Sequence, residues 1–317
     1  MLGIWLFHIL KKRYIGIYLD PALACNFRCK MCYFSDETKR NKYKGILTFD
    51  DIKLIAGKLF HRALKLQIGC GAEPTVYPDW IKIVELGKQM KVPYISMATN
   101  GNLLTKEQLI QAIESGLNEI AISVHGLTRK TYEFLMTNGN FELFCNLLTY
   151  IADIKKEQPA FKLRINYTVN KDNMDELSKI WDVIGDTMDV LQIRPIQKIG
   201  ETEYNDFDLN FIYEKHDTIL LSVVNECRKR NIICIAPDKE NILALKNTKD
   251  KHRIIEKYTY CYVSPQGCWQ DNFDYHNDSF ESYASKHKLA RHLFCGIFKR
   301  IKNEDISVSR KMNYNIT

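Results

Sequence analysis

Residues 25–33 of the chain read CNFRCKMCY, and the cysteines Cys25, Cys29 and Cys32 follow the spacing C-x3-C-x2-C. The next cysteine along the chain is Cys70, so this stretch offers three thiolates and no fourth. A cluster of four irons is normally held by four thiolates, and three would leave one iron open to another molecule. An open metal position is typical of a reactive centre, whereas a closed site mainly stabilises structure or carries electrons.

The residues around this stretch indicate a loop at the end of a strand. Residues 14–19 are β-branched and aromatic, which predicts a strand, and Pro21 stops regular pairing. Arg28 and Lys30 lie between the cysteines, and nearby positive charge lowers the pKa of a thiol and favours the thiolate that binds metal. Two other interpretations stay open here: a zinc site completed by a distant histidine or cysteine, and three unrelated buried thiols.

The triplet, with the aromatic Tyr33 after it, resembles the signature loop of the radical S-adenosylmethionine (radical SAM) superfamily. The resemblance implies that Cys25, Cys29 and Cys32 hold a [4Fe–4S] cluster, and that the amino and carboxylate groups of SAM chelate its fourth iron. It implies further that an electron from the reduced cluster cleaves SAM to methionine and a 5′-deoxyadenosyl radical, which removes a hydrogen atom from a substrate. A reductase, flavodoxin or ferredoxin is then the expected electron donor.

A second motif follows the predicted strand at residues 64–69. Residues 70–74 read CGAEP and resemble the glycine-glycine-glutamate-proline loop of the superfamily, with Ala72 in place of the second glycine. Small residues let the backbone approach a ligand closely, and the carboxylate of Glu73 can accept hydrogen bonds from an ammonium group. The resemblance assigns Gly71, Ala72 and Glu73 to the site of the SAM amino group; the alternative is an ordinary strand-to-helix turn.

Polar residues also stand at the ends of later predicted strands, which is where α/β proteins bind ligands. By the same resemblance, Thr99 and Ser123 would face the ribose and methionyl part of SAM, with Asn100 beside them. Arg164 would contact the carboxylate or ribose of SAM, since a guanidinium can grip a carboxylate with two bonds. The alternatives are a turn at Asn100, a surface salt bridge at Arg164, and either a substrate-facing or a structural role for His125.

Strand-like and helical runs alternate through most of the chain. This alternation predicts parallel strands joined by right-handed crossovers, an α/β fold. The predicted strands lie near residues 14–19, 64–69, 93–98, 118–124, 161–169 and 188–194. Six such units match the open, partial (β/α)6 barrel of the superfamily. We expect an N-terminal helical segment at residues 1–13, the radical SAM core barrel at 14–236, and a small C-terminal extension at 237–317.

The C-terminal extension contains a candidate hairpin at residues 260–269, with Pro-Gln-Gly as its turn. It resembles the start of a SPASM or twitch extension, in which further cysteines bind an auxiliary iron–sulfur cluster. Cys261, Cys268 and Cys295 would be the ligands. In that family the next cysteine comes several residues after the glycine, whereas Cys268 follows Gly267 directly. A degenerate extension that covers the barrel mouth, with its cysteines as packing residues, is therefore the alternative.

The composition is that of an ordinary globular protein, with 317 residues, 45% hydrophobic, 26% charged and a net charge of +7. No cluster of basic and aromatic residues indicates nucleic-acid binding. The chain is too large to need a disulfide scaffold for its ten cysteines, and an oxygen-sensitive cluster requires a reducing compartment, so we expect a cytoplasmic protein. The apolar residues 2–10 are too short to span a bilayer; they predict a helix packed on the domain, with weak interfacial membrane contact as the alternative.

Together these features predict a radical SAM enzyme that removes a hydrogen atom from a peptide or protein side chain or a related small molecule. The alternative from another class is a non-catalytic iron–sulfur or zinc protein that acts as a sensor or electron carrier. A weaker alternative is a nucleic-acid or cofactor-biosynthesis enzyme of the same superfamily. The motifs do not specify the substrate, because specificity lies in loops and in the C-terminal extension.

Overall fold

The computed structural model describes residues 1–197, 202, 204–243, 255, 258–270 and 272–298. In these residues the strands are β1 (Ile15–Leu19), β2 (Ala63–Ile68), β3 (Tyr94–Thr99), β4 (Glu119–Val124), β5 (Lys162–Val169), β6 (Val190–Pro195), β7 (Ile233–Ile235), β8 (Tyr260–Ser264) and β9 (Gly267–Cys268). They form one sheet in the order β7-β6-β5-β4-β3-β2-β1-β8-β9. Every pairing is parallel except that of β8 with β9.

Most of the helices connect parallel strands, whereas the first precedes β1 and the last two follow β9. They are α1 (Leu2–Ile9), α2 (Glu37–Lys42), α3 (Phe49–Leu59), α4 (Trp80–Gln89), α5 (Lys106–Glu114), α6 (Arg129–Leu135), α7 (Phe141–Glu157), α8 (Ile180–Val183), α9 (Asn210–Glu214), α10 (Leu221–Lys229), α11 (Lys239–Leu243), α12 (Phe280–Lys286) and α13 (Leu289–Phe298). Thr48 begins α3 and Thr105 begins α5, each with a capping box that satisfies backbone N–H groups of the first turn.

The predicted α/β class and the partial barrel are confirmed by this mostly parallel sheet. Each of the six predicted strands forms, with its ends within about two residues of the prediction. The apolar spacing of Leu177, Ile180 and Ile184 predicts a helix over residues 173–184. The structure has a 3-10 segment there instead, Met174–Lys179, followed by the short α8. There the carboxylate of Glu176 accepts hydrogen bonds from Leu127 and Thr128, so tertiary contacts hold this segment more strongly than helix propensity does.

The sheet is larger than the predicted six strands. β7 pairs with β6 at one edge, and β8 pairs in parallel with β1 at the other. A sheet edge presents unpaired N–H and C=O groups, and β8 satisfies those of β1. The predicted hairpin is confirmed, since β9 returns antiparallel to β8. The predicted division at residues 236/237 stays a prediction, but this hairpin continues the barrel sheet.

The two faces of the sheet differ in chemistry. In β5 the burial alternates, with Leu163 and Ile165 fully buried and Arg164 and Asn166 partly exposed. Registers across the sheet put Asn166 beside Ser123 of β4. The partly exposed, polar side is called the inner face below, and the apolar side packs against the helices. Ligands of α/β barrels bind at the carboxyl ends of the strands, so we expect the candidate site at that end of the inner face.

The helix predicted at the N-terminus forms as α1 and packs on the domain. Its Trp5 ring lies 5.3 Å from the ring of Phe294 in α13, and the buried Arg62 donates to the carbonyl of His8 at 3.0 Å. Of the helices in the described part of the chain, none is both long and apolar enough to cross a bilayer.

Candidate functional site

The loop after β1 carries the cysteine triplet. Cys25, Cys29 and Cys32 are each partly buried and none is in a disulfide. The loop is tied to the end of α6, because the N–H groups of Arg28 and Lys30 donate to the carbonyls of Thr137 and Leu135, both at 2.9 Å. The triplet therefore sits on a backbone that is held in place at the carboxyl edge of the sheet.

In the metal-free chain the three thiols are protonated. Burial raises the pKa of Cys25 to about 12, and burial also raises the pKa values of Cys29 and Cys32. Arg28 opposes this for Cys25 and Cys32, but its effect is smaller. The expectation that Lys30 favours thiolates was wrong, since its ammonium lies over the ring of Phe134, 4.3 Å from the centroid. Metal binding must itself displace the protons.

The end of β3 contacts the first cysteine directly. The side-chain amide of Asn100 lies 3.9 Å from Sγ of Cys25 and donates to the side chain of Asn26 at 2.8 Å. The backbone N–H of Phe27 donates to the same sulfur at 3.4 Å. Donors of this kind stabilise a thiolate once it forms and bias the potential of a bound cluster. Asn100, predicted from the strand end, thus lies beside the triplet.

Glu73 is the centre of the second loop and is only 2% exposed. Its Oε1 accepts hydrogen bonds from the hydroxyls of Thr75 and Thr99, both at 2.6 Å, and from the N–H of Thr75 at 3.1 Å. Its Oε2 accepts from the N–H of Asn100 at 2.7 Å. Burial raises the pKa of Glu73, and these donors oppose the rise. A buried carboxylate with this many donors is held in one orientation.

Thr99 was predicted to face SAM, and its hydroxyl is already engaged within the protein. It donates to Glu73 and accepts from the N–H of Gly101 at 2.9 Å. The N–H of Glu73 in turn donates to the carbonyl of Ala24, next to Cys25, at 2.9 Å. The observed position of Thr99 is therefore that of a support that joins β3 to the Glu73 loop.

Sequence analysis missed Asp20, which is fully buried at the end of β1. Its carboxylate accepts from the N–H groups of Cys70 and Gly71 at 2.7 and 2.9 Å and from the hydroxyl of Tyr262 at 2.7 Å. Burial raises the pKa of Asp20, and these donors, with the backbone of Ala72, oppose the rise. The only sequence signal is an acidic residue placed between a strand and a proline, which by itself is common in turns.

Gly71 also meets the cysteine loop. Its carbonyl accepts a hydrogen bond from the hydroxyl of Tyr33 at 2.8 Å. A Cβ on Gly71 would lie 3.2 Å from that hydroxyl oxygen, so the contact leaves little room for a side chain. The aromatic residue after the triplet thus has an identified role, since it joins the two loops. Ala72, the next residue, is partly exposed beside them.

Ser123 lies on the inner face near the carboxyl end of β4, partly exposed and next to Asn166 of β5. Oδ1 of Asn166 is buried without a hydrogen-bond partner. His125 follows β4; burial lowers its pKa to about 4, so the imidazole is neutral at pH 7, and its Nδ1 also lacks a partner. Orphaned buried polar atoms are rare in folded proteins and indicate a missing ligand or water.

Arg164 is placed differently from the prediction that it contacts SAM. Its Nε and Nη2 bond the two carboxylate oxygens of Glu119 at 3.1 and 3.0 Å. Glu119 is the first residue of β4, at the amino end of the strands, whereas the cysteine loop follows the carboxyl end of β1. Tyr94 and Lys65 also face this carboxylate, at 3.0 and 4.0 Å. The guanidinium is therefore held at the end of the sheet opposite the cysteine loop, by a partner 45 residues away in sequence.

The expected auxiliary cluster does not fit its three cysteines. Cys261 is fully buried in β8, Cys268 is partly buried in β9, and Cys295 is exposed on α13. Cys268 is close enough to raise the pKa of Cys261 further beyond the effect of burial, but Cys295 lies on a helix that packs against α1. The buried thiol of Cys261 belongs to the apolar side of the sheet, which is the packing role left open from the sequence.

Among the described residues, no group of three or more His, Cys, Asp or Glu side chains converges on a single metal ion. An iron–sulfur cluster takes one thiolate per iron and does not require such convergence. The donor set of Cys25, Cys29 and Cys32 consists of sulfur alone, on one loop, beside a cavity of about 220 Å³ that Cys25 and Arg28 help to line. This donor set and setting fit an iron–sulfur cluster better than a mononuclear zinc ion.

Comparison with known proteins indicates the family of this chain. One curated relative, described as a probable GTP 3′,8-cyclase from Saccharolobus islandicus (strain M.14.25 / Kamchatka #1), is 26% identical over 213 residues, covering 66% of either chain. The chain thus spans just under two thirds of this relative. A protein of the same description from Saccharolobus solfataricus is 31% identical over 159 residues, covering 49% of this chain and 48% of that one.

Among solved structures, Streptococcus suis SuiB bound to S-adenosylmethionine has the same fold, with a TM-score of 0.65, 16% identity, and coverage of 89% of this chain and 70% of that chain. The family model of the radical SAM superfamily matches residues 20–182, which is more than half of the 317 residues. Members of this family are enzymes that use a [4Fe–4S] cluster and SAM, so the non-catalytic interpretation is not retained. The chain belongs to the radical SAM superfamily.

Proposed function

We propose that this chain binds a [4Fe–4S] cluster through Cys25, Cys29 and Cys32, binds SAM beside it, and removes a hydrogen atom from a substrate on the inner face of the sheet. The observation that carries the proposal is the continuous hydrogen-bonded path from Glu73 through Asn100 to Sγ of Cys25. It joins the candidate SAM loop to the candidate cluster loop through one residue.

The acceptor capacity of Glu73 supports a role in binding the SAM ammonium group. Its Oε1 has three donors, whereas its Oε2 has one, the N–H of Asn100. A carboxylate oxygen can accept more than one bond, so Oε2 keeps room for a charged donor, and bonds to charged donors are the stronger ones. Gly71 and Ala72 offer a backbone with small side chains beside it.

Ser123 and Asn166 are proposed to bind the polar part of SAM or of the substrate. Both lie on the inner face, and Oδ1 of Asn166 is buried and unpartnered. A hydroxyl donor from a bound molecule would satisfy that oxygen and remove the cost of leaving it unpaired. When bound and reduced, the cluster supplies the electron that cleaves SAM; the residues named here bind and orient SAM and keep the reacting atoms together.

The substrate is proposed to be a small polar molecule or a peptide side chain. The inner face is lined by polar groups such as Ser123, Asn166 and Gln192, which suits a polar ligand. The curated relatives are described as probable GTP 3′,8-cyclases, which makes GTP the first small molecule to test. SuiB, which shares the fold, has been solved bound to its precursor peptide SuiA, which makes a peptide the second.

A low-potential electron donor is required by enzymes of this superfamily, and we propose a flavodoxin, a ferredoxin or a dedicated reductase. We also propose that the protein works in the cytoplasm. Ten cysteines, none in a disulfide among the described residues, suit a reducing compartment. The hairpin of β8 and β9 stays proposed as a degenerate SPASM-like element, and the observed contacts support a structural role for it.

The test is anaerobic reconstitution of the full chain with iron and sulfide, followed by addition of SAM and dithionite. We expect about four irons per chain and release of 5′-deoxyadenosine. Glu73→Gln replaces one carboxylate oxygen by an amide NH2 group, which cannot accept a hydrogen bond from a neighbouring donor. The variant should therefore weaken SAM binding by at least about tenfold, while the iron content stays unchanged. Glu114→Gln, on the exposed side of α5, is the matched control.

A full cluster that fails to release 5′-deoxyadenosine under these conditions would refute the proposed function. The substrate class needs a separate assay, in which GTP and short peptides are added to the active enzyme. A candidate substrate is supported if its addition increases the release of 5′-deoxyadenosine and if mass spectrometry shows that the mass of the candidate itself changes. If GTP is unchanged under conditions that support SAM cleavage, GTP is excluded as the substrate without affecting the SAM-cleaving activity.

A further inference from the structure

The outward side of α1 is apolar, which is unusual for a helix on a protein surface. Ile4, Trp5 and His8 turn toward the domain. On the other side, Leu2, Leu6, Phe7 and Leu10 are between 42% and 62% exposed. An exposed helix normally presents charged or polar residues to water, and α1 has none on this side.

Helix α13 extends this surface. Phe294 and Phe298 are 45% and 74% exposed, and their rings lie 5.4 Å apart. Phe294 also contacts Trp5 of α1, with ring centroids 5.3 Å apart. Leu2, Leu6, Phe7, Leu10, Phe294 and Phe298 are called the apolar patch below. Single exposed apolar residues are ordinary, but a contiguous patch indicates a binding surface.

The charged residues on α13 and directly after α1 are all cationic, and the acidic Glu281 of α12, which acts on His8 of α1, is paired with His61. Lys11 and Lys12 follow α1 directly and are exposed, and Arg291 is exposed one helical turn before Phe294. Neither α1 nor α13 contains an acidic residue. Arg13, the next cation along the chain, points inward. Its guanidinium donates to three backbone carbonyls, including that of Phe60 at 2.5 Å, so it anchors the junction of α1 and β1.

These charges select among possible occupants of the apolar patch. A second copy of the chain, related by a two-fold axis, would bring the same cations face to face, which costs free energy. A bilayer with anionic headgroups offers both an apolar layer for the leucines and phenylalanines and negative charge for the lysines. We propose that α1 and α13 dock this protein on the surface of an anionic membrane, with the apolar patch inserted at the level of the headgroups.

The proposal leaves the candidate radical SAM site open to solvent. The apolar patch lies at the amino end of β1, because α1 precedes that strand, and the cysteine loop follows its carboxyl end. Five strand residues separate the two, which is roughly 17 Å. The inference is independent of the proposed function, since it uses no residue of the site and its test requires neither cluster nor SAM.

The test is flotation of the full, metal-free chain with vesicles of phosphatidylcholine containing phosphatidylglycerol, and with vesicles of phosphatidylcholine alone. We expect binding to the anionic vesicles that weakens as salt is raised. Lys11→Gln with Lys12→Gln should lower the partition coefficient by roughly thirtyfold. Phe7→Ser with Leu10→Ser should reduce binding to the background level.

Matched controls lie elsewhere on the surface. Lys130→Gln with Lys179→Gln removes two exposed lysines, and Leu143→Ser with Leu221→Ser removes two exposed leucines; both double variants should bind like the parent. Equal binding to both kinds of vesicle, no binding to either, or unchanged binding by the patch variants would overturn the proposal. So would a concentration-dependent dimer, measured by light scattering, that the Phe7→Ser and Leu10→Ser changes abolish.

Discussion

The hydroxyl of Tyr262 donates a hydrogen bond to Oδ2 of Asp20 at 2.7 Å, across 242 positions of sequence. The same carboxylate accepts the N–H groups of Cys70 and Gly71, so a strand near the C-terminus helps to hold the loop that precedes Glu73. The contact exists because β8 pairs with β1. The C-terminal hairpin is therefore part of the candidate SAM site by way of Asp20.

We predict that Tyr262→Phe weakens SAM binding with little effect on the cluster. Loss of a hydrogen bond to a buried carboxylate removes about 1.5–3 kcal/mol, and the loop of Gly71 is then less well positioned. SAM affinity, measured by equilibrium dialysis of the reconstituted chain, should fall by about tenfold, while iron content stays at the parental value. Tyr150→Phe, on α7, is the matched control, and a drop in iron with unchanged SAM affinity would contradict the prediction.

The cysteine triplet and the C-terminal cysteines should differ in iron binding. Replacing Cys25, Cys29 and Cys32 together by alanine should remove the iron of the reconstituted chain and its iron–sulfur absorption, because the thiolates are the only proposed ligands. Replacing Cys261, Cys268 and Cys295 should leave about four irons per chain, because those three thiols do not share one site. Iron and sulfide analysis of both variants measures the difference. A loss of iron in the second variant would support the hypothesis of an auxiliary cluster.

The pair of Glu119 and Arg164 should contribute to stability. Glu119→Ala leaves Arg164 beside Lys65 without a counter-charge, and breaking a buried pair on one side costs about 3 kcal/mol. The double variant Glu119→Ala with Arg164→Met removes the uncompensated charge and should recover at least about half of that loss. Urea unfolding followed by circular dichroism measures both values. Equal destabilisation by the single and the double variant would show that the pair is not the cause.

His125 should make the chain less stable in acid. Burial lowers its pKa to about 4, from an ordinary value of 6.5. Between these values the unfolded chain binds more protons than the folded chain, so the stability due to neutral His125 is present at pH 7 and is lost as the pH falls from 6.5 toward 4. The loss at about pH 4.5 should be about 2 kcal/mol.

The check is urea unfolding of the metal-free chain at about pH 7 and about pH 4.5, for the parent and for His125→Gln. The parent should lose about 2 kcal/mol more than the variant between the two conditions. The raised pKa values of Asp20 and Glu73 act in the opposite direction, but they are common to both proteins and cancel in the comparison. Equal losses would mean that His125 titrates normally in the folded chain.

Local sequence was sufficient for the six predicted strands and for the candidate cluster loop. Strands appear where β-branched and aromatic runs predict them. Cys25, Cys29 and Cys32 lie within eight residues, so their proximity follows from chain connectivity. Glu73 and Asn100 come from different strands, but each follows a strand end, and the parallel sheet brings such ends to one edge.

Side-chain partners across the sheet depended on register, which the sequence does not state. Arg164 looked like a ligand for SAM, but the register of β4 against β5 places it opposite Ala121, from where its side chain reaches Glu119 at the opposite end of the strands. Asn166, two residues later on the same face, was not named among the site residues, and it has a buried oxygen without a partner. A shift along the strand changes which residues meet but leaves the local pattern unchanged.

The sequence by itself determined the cysteine loop that is the candidate cluster site, the alternation of parallel strands with helices, and the superfamily, because these depend on spacing and on local periodicity. Only the tertiary structure decided that Tyr262 reaches Asp20, that Arg164 is paired with Glu119, and that α1 and α13 form one exposed apolar surface. Such contacts join residues far apart in the chain, and their energy depends on burial and on neighbours that exist only after folding.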